Sequence, residues 1–141
     1  MKTTEAIHVV KKLTVYQPTW KPTADDIEEW ADALLPHDHD DALAAVRKLG
    51  RTPRPAGAAW DIGLREILTE LAATKARRWE ERRHLYVPPS GLTAEQYRRW
   101  ELDARTQATR RDWTPVDALQ PGAGTKAIGA LLAQLTRGTV A

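Results

Sequence analysis

The feature that most constrains this chain is the spacing of its apolar residues, which recur every three or four positions between repeated proline breaks. The first such segment carries Ala6, Val9, Val10 and Leu13, the spacing of one face of an α-helix. Later segments repeat this spacing, and none shows the sustained alternation of apolar and polar residues that marks a half-buried strand. The sequence therefore predicts an all-α protein without a sheet.

The first three helices are short and are bounded by capping residues and prolines. We predict that the first helix begins at a Thr4 N-cap and runs to about Tyr16. The second begins at a Thr23 cap with Asp26 as the acid of a capping box, and it ends at Pro36. The third begins at Asp38 or His39 and ends with Gly50 as the residue that follows the last helical turn.

The later helices are predicted to be longer or more polar. The fourth starts near Ala56 and continues to about Leu85, long enough to leave the body of the domain. A break at residues 88–91 separates it from the fifth, which extends from a Thr93 cap to Trp113. A short amphipathic helix follows a Gly-rich spacer near the end of the chain.

Charge is distributed unevenly along the chain, although the net charge is only +2. Residues 1–74 hold nine Lys and Arg against twelve Asp and Glu, whereas residues 75–111 hold ten against five. Such asymmetry concerns partners rather than fold. We therefore predict a compact four-helix domain over 1–74, a basic helical arm over 75–112, and a flexible spacer with an amphipathic tail helix over 113–141.

The basic arm contains four arginine doublets interleaved with Trp and Tyr residues. Arginine near exposed aromatic rings suits phosphate contact and base stacking, so the doublets are candidate nucleic-acid-binding residues. Two alternatives are a solvated helical hairpin whose Trp and Tyr form a small core, and a surface for an acidic protein. The candidates are Arg77, Arg78, Arg82, Arg83, Arg98, Arg99, Arg110 and Arg111.

The tail helix carries an apolar stripe that is a candidate partner-binding site. A helix this short is marginal alone in water, and a tethered amphipathic helix commonly fills a groove on a partner. Docking of the stripe back onto the body is the alternative. The stripe consists of Ile128, Leu131, Leu132 and Leu135.

Candidate catalytic and metal-binding motifs point to structural roles. The run from His37 to Asp41 straddles a predicted helix start, where Asp is an ordinary cap, and it lacks the i, i+4 spacing of helical metal ligands. Gly124-Thr125-Lys126 departs from a phosphate-binding loop, in which Lys directly follows Gly. With no cysteine and four scattered histidines, we predict a non-enzymatic chain without metal or cofactor. No apolar run could span a bilayer and no signal peptide is evident, so a cytoplasmic location without membrane contact is expected.

The order of features in about half of the chain resembles phage-encoded loaders and inhibitors of the hexameric replicative helicase, of the bacillus-phage type. The resemblance consists of an aromatic–proline turn, a capped helix with a Trp, an Asp-rich helix start and a proline-containing connector. The residues are Val15-Tyr16-Gln17-Pro18-Thr19-Trp20, Thr23, Ile27, Trp30, Leu34, Ala42, Leu43, Val46, Leu49, Pro53-Arg54-Pro55 and Ala59-Trp60-Asp61-Ile62.

This resemblance implies a compact helical N-terminal domain, a C-terminal part that engages the helicase, and no catalytic residues. We therefore expect a DNA-replication accessory protein that binds a DnaB-like replicative helicase and modulates its loading or activity, with DNA or an origin-binding protein as a further partner. The alternative is a small DNA-binding or regulatory protein that uses the arginine-rich arm. The long basic extension departs from the family's simple tail.

Overall fold

The computed structural model describes residues 1–54 and 62–119, and within these ranges the protein is entirely helical. The α-helices are α1 (Thr3–Tyr16), α2 (Ala24–Leu34), α3 (His39–Arg51), α4 (Leu64–Arg82) and α5 (Ala94–Ala108), with short 3₁₀ helices at Arg83–Leu85 and Pro115–Leu119. No strand occurs in the described ranges. The predicted all-α class is therefore confirmed.

Two compact units divide the chain, the first comprising Met1–Thr74 and the second beginning at Lys75. The first unit contains α1, α2, α3 and the beginning of α4. Its core is made of small and aliphatic side chains with at most 7% of their surface exposed: Ala6, Val9, Val10, Leu13, Ala31, Leu34, Ala42, Leu43, Ala45, Val46, Ile62, Ile67 and Leu71. Each buried Leu or Ile contributes roughly 1.5–3 kcal/mol relative to an exposed one.

The first helix begins earlier than the sequence predicted. Its N-cap is Lys2 rather than Thr4, and the Glu5 carboxylate accepts the backbone N–H of Lys2 at 2.7 Å. A Glu in this position satisfies one of the donors left over at a helix start. The same hydrogen bond is the main cause that lowers the pKa of Glu5.

The predicted Thr23 cap of α2 is confirmed, and of the two candidates for α3, Asp38 and His39, the cap is Asp38. Thr23 accepts the N–H of Asp26 at 3.2 Å, while Asp26 accepts the N–H of Thr23 at 2.8 Å. Asp38 is the N-cap of α3 and accepts the N–H of Asp41 at 3.0 Å. Local side-chain chemistry decided both positions.

Gly50 does not end α3, contrary to the prediction. It lies inside the helix, which continues to Arg51, and a Cβ on it would lie 2.5 Å from the Cγ of Tyr16. Glycine is needed here because an aromatic ring from α1 contacts the helix backbone closely. The reason for this glycine is tertiary packing, not the end of the helix.

The fourth helix begins at Leu64 rather than near Ala56. Ile62 and Gly63 are not helical, and the N–H of the buried Ile62 is bound by the side-chain oxygen of Gln17. Glu66 then reaches back to the N–H of Gly63 at 3.3 Å. The backbone N–H groups of Ile62 and Gly63 are therefore satisfied by side chains and need no helical partner, so α4 can begin after them.

The second unit has its own small core. Trp79, Tyr86, Ala104, Ala108 and Ala118 are buried in it, with Leu85 and Trp100 packed against them. The break after α4 is present, with Gly91 at a φ of 80°, a left-handed conformation that favours glycine. The predicted Thr93 cap is confirmed, since Thr93 accepts the N–H of Gln96 at 3.2 Å.

The end of α5 and the start of the tail differ from the prediction. The helix ends at Ala108 rather than at Trp113. Trp113 and Ala118, which the sequence placed in a flexible spacer, contribute to the second unit: the Trp113 indole N–H donates to the Tyr86 hydroxyl at 2.8 Å, and Ala118 is fully buried. Among the described helices, none has the length and apolar character required to cross a membrane.

Candidate interaction surface of the second unit

The arginines of the doublets in the second unit make different contacts. Two of them, Arg78 and Arg82, donate hydrogen bonds to backbone carbonyls of the same unit. Arg82 donates to the backbone carbonyls of Ala108 and Arg110, at 2.7 and 2.9 Å. Arg78 donates to the carbonyl of Thr109 at 3.1 Å. These carbonyls belong to the end of α5 and the residues just after it.

This arrangement has a physical cause in helix termini. The last four carbonyls of a helix lack intrahelical partners and carry partial negative charge. Arg78 and Arg82 lie four residues apart on α4 and therefore share a face, from which both guanidinium groups reach the end of α5. The two side chains act as a C-terminal cap, so they stabilise the fold of the second unit.

Two aromatic residues of the arm, Trp79 and Tyr86, are likewise used inside the unit, whereas Tyr97 is 42% exposed. Only 8% of Trp79 and 5% of Tyr86 is exposed, which removes their faces from contact with a base. The Arg82 guanidinium lies 4.5 Å from the centroid of the Trp113 ring, a cation–π contact. Burial raises the pKa of Tyr86. Trp79 and Tyr86 are therefore core residues of the second unit, which is one of the roles that the sequence left open for them.

Other members of the doublets form exposed ion pairs. Arg83 binds Glu80 at 3.3 Å, and Arg110 binds Asp112 with two hydrogen bonds of 3.0 and 2.9 Å. The Arg110 guanidinium also lowers the pKa of Asp112. Exposed pairs of this kind contribute little to stability. Arg111 is exposed as well.

Three of the predicted arginines are exposed and make no hydrogen bond or ion pair within the described ranges: Arg77, Arg98 and Arg99. Arg98 and Arg99 lie on the side of α5 opposite the buried Ala104 and Ala108. They flank Leu102, which is 64% exposed. Arg105, one turn beyond Leu102, is turned towards the core instead, with its guanidinium 5.7 Å from the centroid of the Trp79 ring. We call Arg98, Arg99 and Leu102 the α5 outer face.

The arginine doublets of the arm did not point to Leu102, which the structure shows to be exposed. A signal was present: Leu102 is out of phase with the apolar positions Trp100, Ala104 and Ala108 of the same helix. Leu102 is thus an exposed apolar side chain beside Arg98 and Arg99, on a helix that carries three acidic and three basic residues.

The predicted partner-binding stripe Ile128, Leu131, Leu132 and Leu135 lies outside the described residues. The same is true of Ala59, Trp60 and Asp61 in the connector that contributed to the family resemblance.

Comparison with known proteins does not assign the chain to a family. No protein-family model, no curated protein and no solved structure matches it.

Proposed function

We propose that this chain is a cytoplasmic accessory protein of DNA replication that binds a DnaB-like hexameric replicative helicase and modulates its loading or activity. The proposal starts from the sequence resemblance in residues 15–62. It concerns binding between proteins, with no reaction catalysed by this chain.

One observation supports this proposal most directly. The resembling residues are not scattered in the fold: the rings of Trp20 and Trp30 contact each other with centroids 5.0 Å apart. Both pack against the core that contains Leu34, Leu43 and Val46. A linear pattern that also forms one packing cluster supports a shared domain better than the pattern alone.

The α5 outer face and the tail stripe are the segments through which the helicase would be bound. The outer face offers cations around an exposed Leu102, and the tail offers four apolar residues at helical spacing. Arg78 and Arg82 are excluded from this role, since they cap α5.

The experiment is size-exclusion chromatography of the chain mixed with the replicative helicase of its phage or host, with and without ATP. We expect co-elution as a complex. Leu131→Asp combined with Leu132→Asp should weaken the complex, whereas the exposed surface variant Arg47→Ala should not. Separate elution of the two wild-type proteins under both nucleotide conditions would contradict the proposal.

A second function, DNA binding by the basic arm, is favoured by one observation. Arg98 and Arg99 are exposed and are not neutralised by an acidic partner within the described ranges. Because Trp79 and Tyr86 are buried, they cannot stack on bases. DNA binding by the arm would therefore depend on electrostatic contact between these arginines and phosphates.

A further inference from the structure

A pair of histidines from different helices meets at the surface of the first unit. The Nδ1 atom of His8 in α1 lies 3.1 Å from the Nε2 atom of His39 in α3. The ring centroids are 5.3 Å apart and the ring planes are tilted by 34°. Two ring nitrogens thus lie within hydrogen-bond distance of each other across the contact between α1 and α3.

A carboxylate lies beside this histidine pair. The Oδ1 atom of Asp40 is 3.6 Å from the other ring nitrogen of His39, Nδ1, which is longer than a hydrogen bond. It places a negative charge close to the two imidazoles, where it attracts a cation.

The separation of the two nitrogens suits a shared metal ion. With metal–nitrogen bonds of about 2.0–2.1 Å, nitrogens 3.1 Å apart subtend an angle of about 100° at the ion. That angle lies close to tetrahedral and octahedral values. His39 is partly buried and His8 is exposed, which holds one ligand in place and leaves the other coordination positions open to water.

We propose that His8 and His39 form a two-imidazole site for a divalent transition-metal ion that links α1 to α3. The ion takes the place of the hydrogen bond between the two rings and lies to one side of the line that joins the nitrogens, and water completes its coordination. Imidazole nitrogen selects Zn²⁺, Ni²⁺ or Cu²⁺ over Mg²⁺ and Ca²⁺, which prefer oxygen ligands. The described residues contain no group of three or more His, Cys, Asp or Glu side chains arranged for a metal, so the site is an open one with two protein ligands.

The local sequence could not reveal this site. The spacing within the run from His37 to Asp41 concerns only residues of that run, whereas the second ligand, His8, lies 31 residues before His39. The proposal rests on the geometry of the first unit alone and holds whether or not the chain binds a helicase.

The test uses the full chain without a histidine tag, first treated with a chelator. Isothermal titration with ZnCl₂ and NiCl₂ should give one ion per chain, and the ion should raise the Tm, because it binds the folded state. MgCl₂ should do neither. His8→Gln and His39→Gln should each abolish the Tm increase, and Asp40→Asn, which removes the nearby negative charge, should weaken binding.

His84→Gln is the matched control, since His84 is an exposed histidine of the second unit; it should bind the ion like the wild type. Far-UV circular dichroism verifies that each variant is folded. As an independent measurement on the wild type, Zn²⁺ should shift the ring ¹⁵N resonances of His8 and His39 and leave those of His84 unchanged. Absence of binding by the wild type, or binding that survives His8→Gln and His39→Gln, would overturn the proposal.

Discussion

Arg82 and Arg83 are adjacent residues of the same type with different roles. Arg82 donates to one carbonyl at the end of α5 and one just after it and contacts the Trp113 ring, whereas Arg83 makes an exposed ion pair with Glu80. A charged group that satisfies otherwise unpaired carbonyls contributes more than an exposed pair, because its loss leaves those carbonyls without a partner.

Replacing Arg82 by Ala should therefore lower the free energy of unfolding by about 2 kcal/mol. Arg83→Ala is the matched control and should change it by less than about 0.5 kcal/mol. Urea unfolding followed by circular dichroism measures both. Equal effects of the two substitutions would show that Arg82 does not cap α5.

Gly50 provides a second prediction at the level of single residues. In an ordinary helix, Gly→Ala stabilises by up to about 1 kcal/mol. Here the new methyl group would lie 2.5 Å from the Tyr16 ring, so we expect Gly50→Ala to destabilise by about 1–3 kcal/mol.

The sign of the Gly50 effect should reverse when the ring is removed. In a Tyr16→Ala background, Gly50→Ala should become neutral or stabilising, which a double-mutant cycle of thermal unfolding measures. A destabilisation that stays the same in both backgrounds would rule out the ring contact as its cause.

Among the elements, α2 and α5 begin with the same device but with different chemistry. Thr23 and Asp26 form the capping box of α2, while Thr93 and Gln96 form that of α5. The Asp26 side chain titrates and the Gln96 side chain does not. The backbone and hydroxyl hydrogen bonds from Thr23 lower the pKa of Asp26 from its ordinary value of 3.8.

This difference predicts a pH dependence that only one of the boxes shows. Because the pKa of Asp26 is lower in the folded state, its stabilisation is present above the unfolded pKa and is lost as the pH falls through the folded pKa. The Tm difference between wild type and Asp26→Asn should therefore be present at pH 7 and shrink below pH 3.8. The difference for Gln96→Ala should stay constant. Parallel behaviour of the two variants would contradict this account.

For the whole molecule, the acidic first 74 residues and the basic segment 75–111 determine how the protein meets other charged molecules. Long-range attraction of this kind depends on ionic strength. In the second unit, the structure restricts which arginines can supply this attraction. Arg78 and Arg82 bind backbone carbonyls, and Arg83 and Arg110 pair with acidic residues. On α5, Arg98 and Arg99 are the exposed arginines for which the described ranges show no such contact, and the helix as a whole carries three basic and three acidic residues.

If the α5 outer face contacts DNA phosphates, replacing Arg98 and Arg99 together by Ala should weaken the salt dependence of binding. The slope of log K against log salt concentration should decrease in magnitude by about 2, because each phosphate contact contributes roughly 0.9 on duplex DNA. Fluorescence anisotropy at several salt concentrations measures the slope. The matched control is the double variant Arg47→Ala with Arg51→Ala, which removes two exposed arginines of α3 that lie one helical turn apart. An unchanged slope for the Arg98 and Arg99 variant would place any DNA contact elsewhere.

The sequence by itself determined the helical class, the caps at Thr23 and Thr93, the start of α3 to within one residue, and the break before α5. These features depend on interactions between residues within one helical turn, which the order of residues contains directly. The apolar stripes of α1 and α3 were predictable for the same reason.

Only the tertiary structure decided what depends on groups far apart in sequence. Gly50 is required by a ring on α1, α4 starts late because Gln17 binds the N–H of Ile62, and Arg82 caps a helix 26 residues further on. The pairing of His8 with His39 belongs to the same class. Each of these contacts forms only after the helices have packed, so periodicity and local spacing cannot show which side chains will meet.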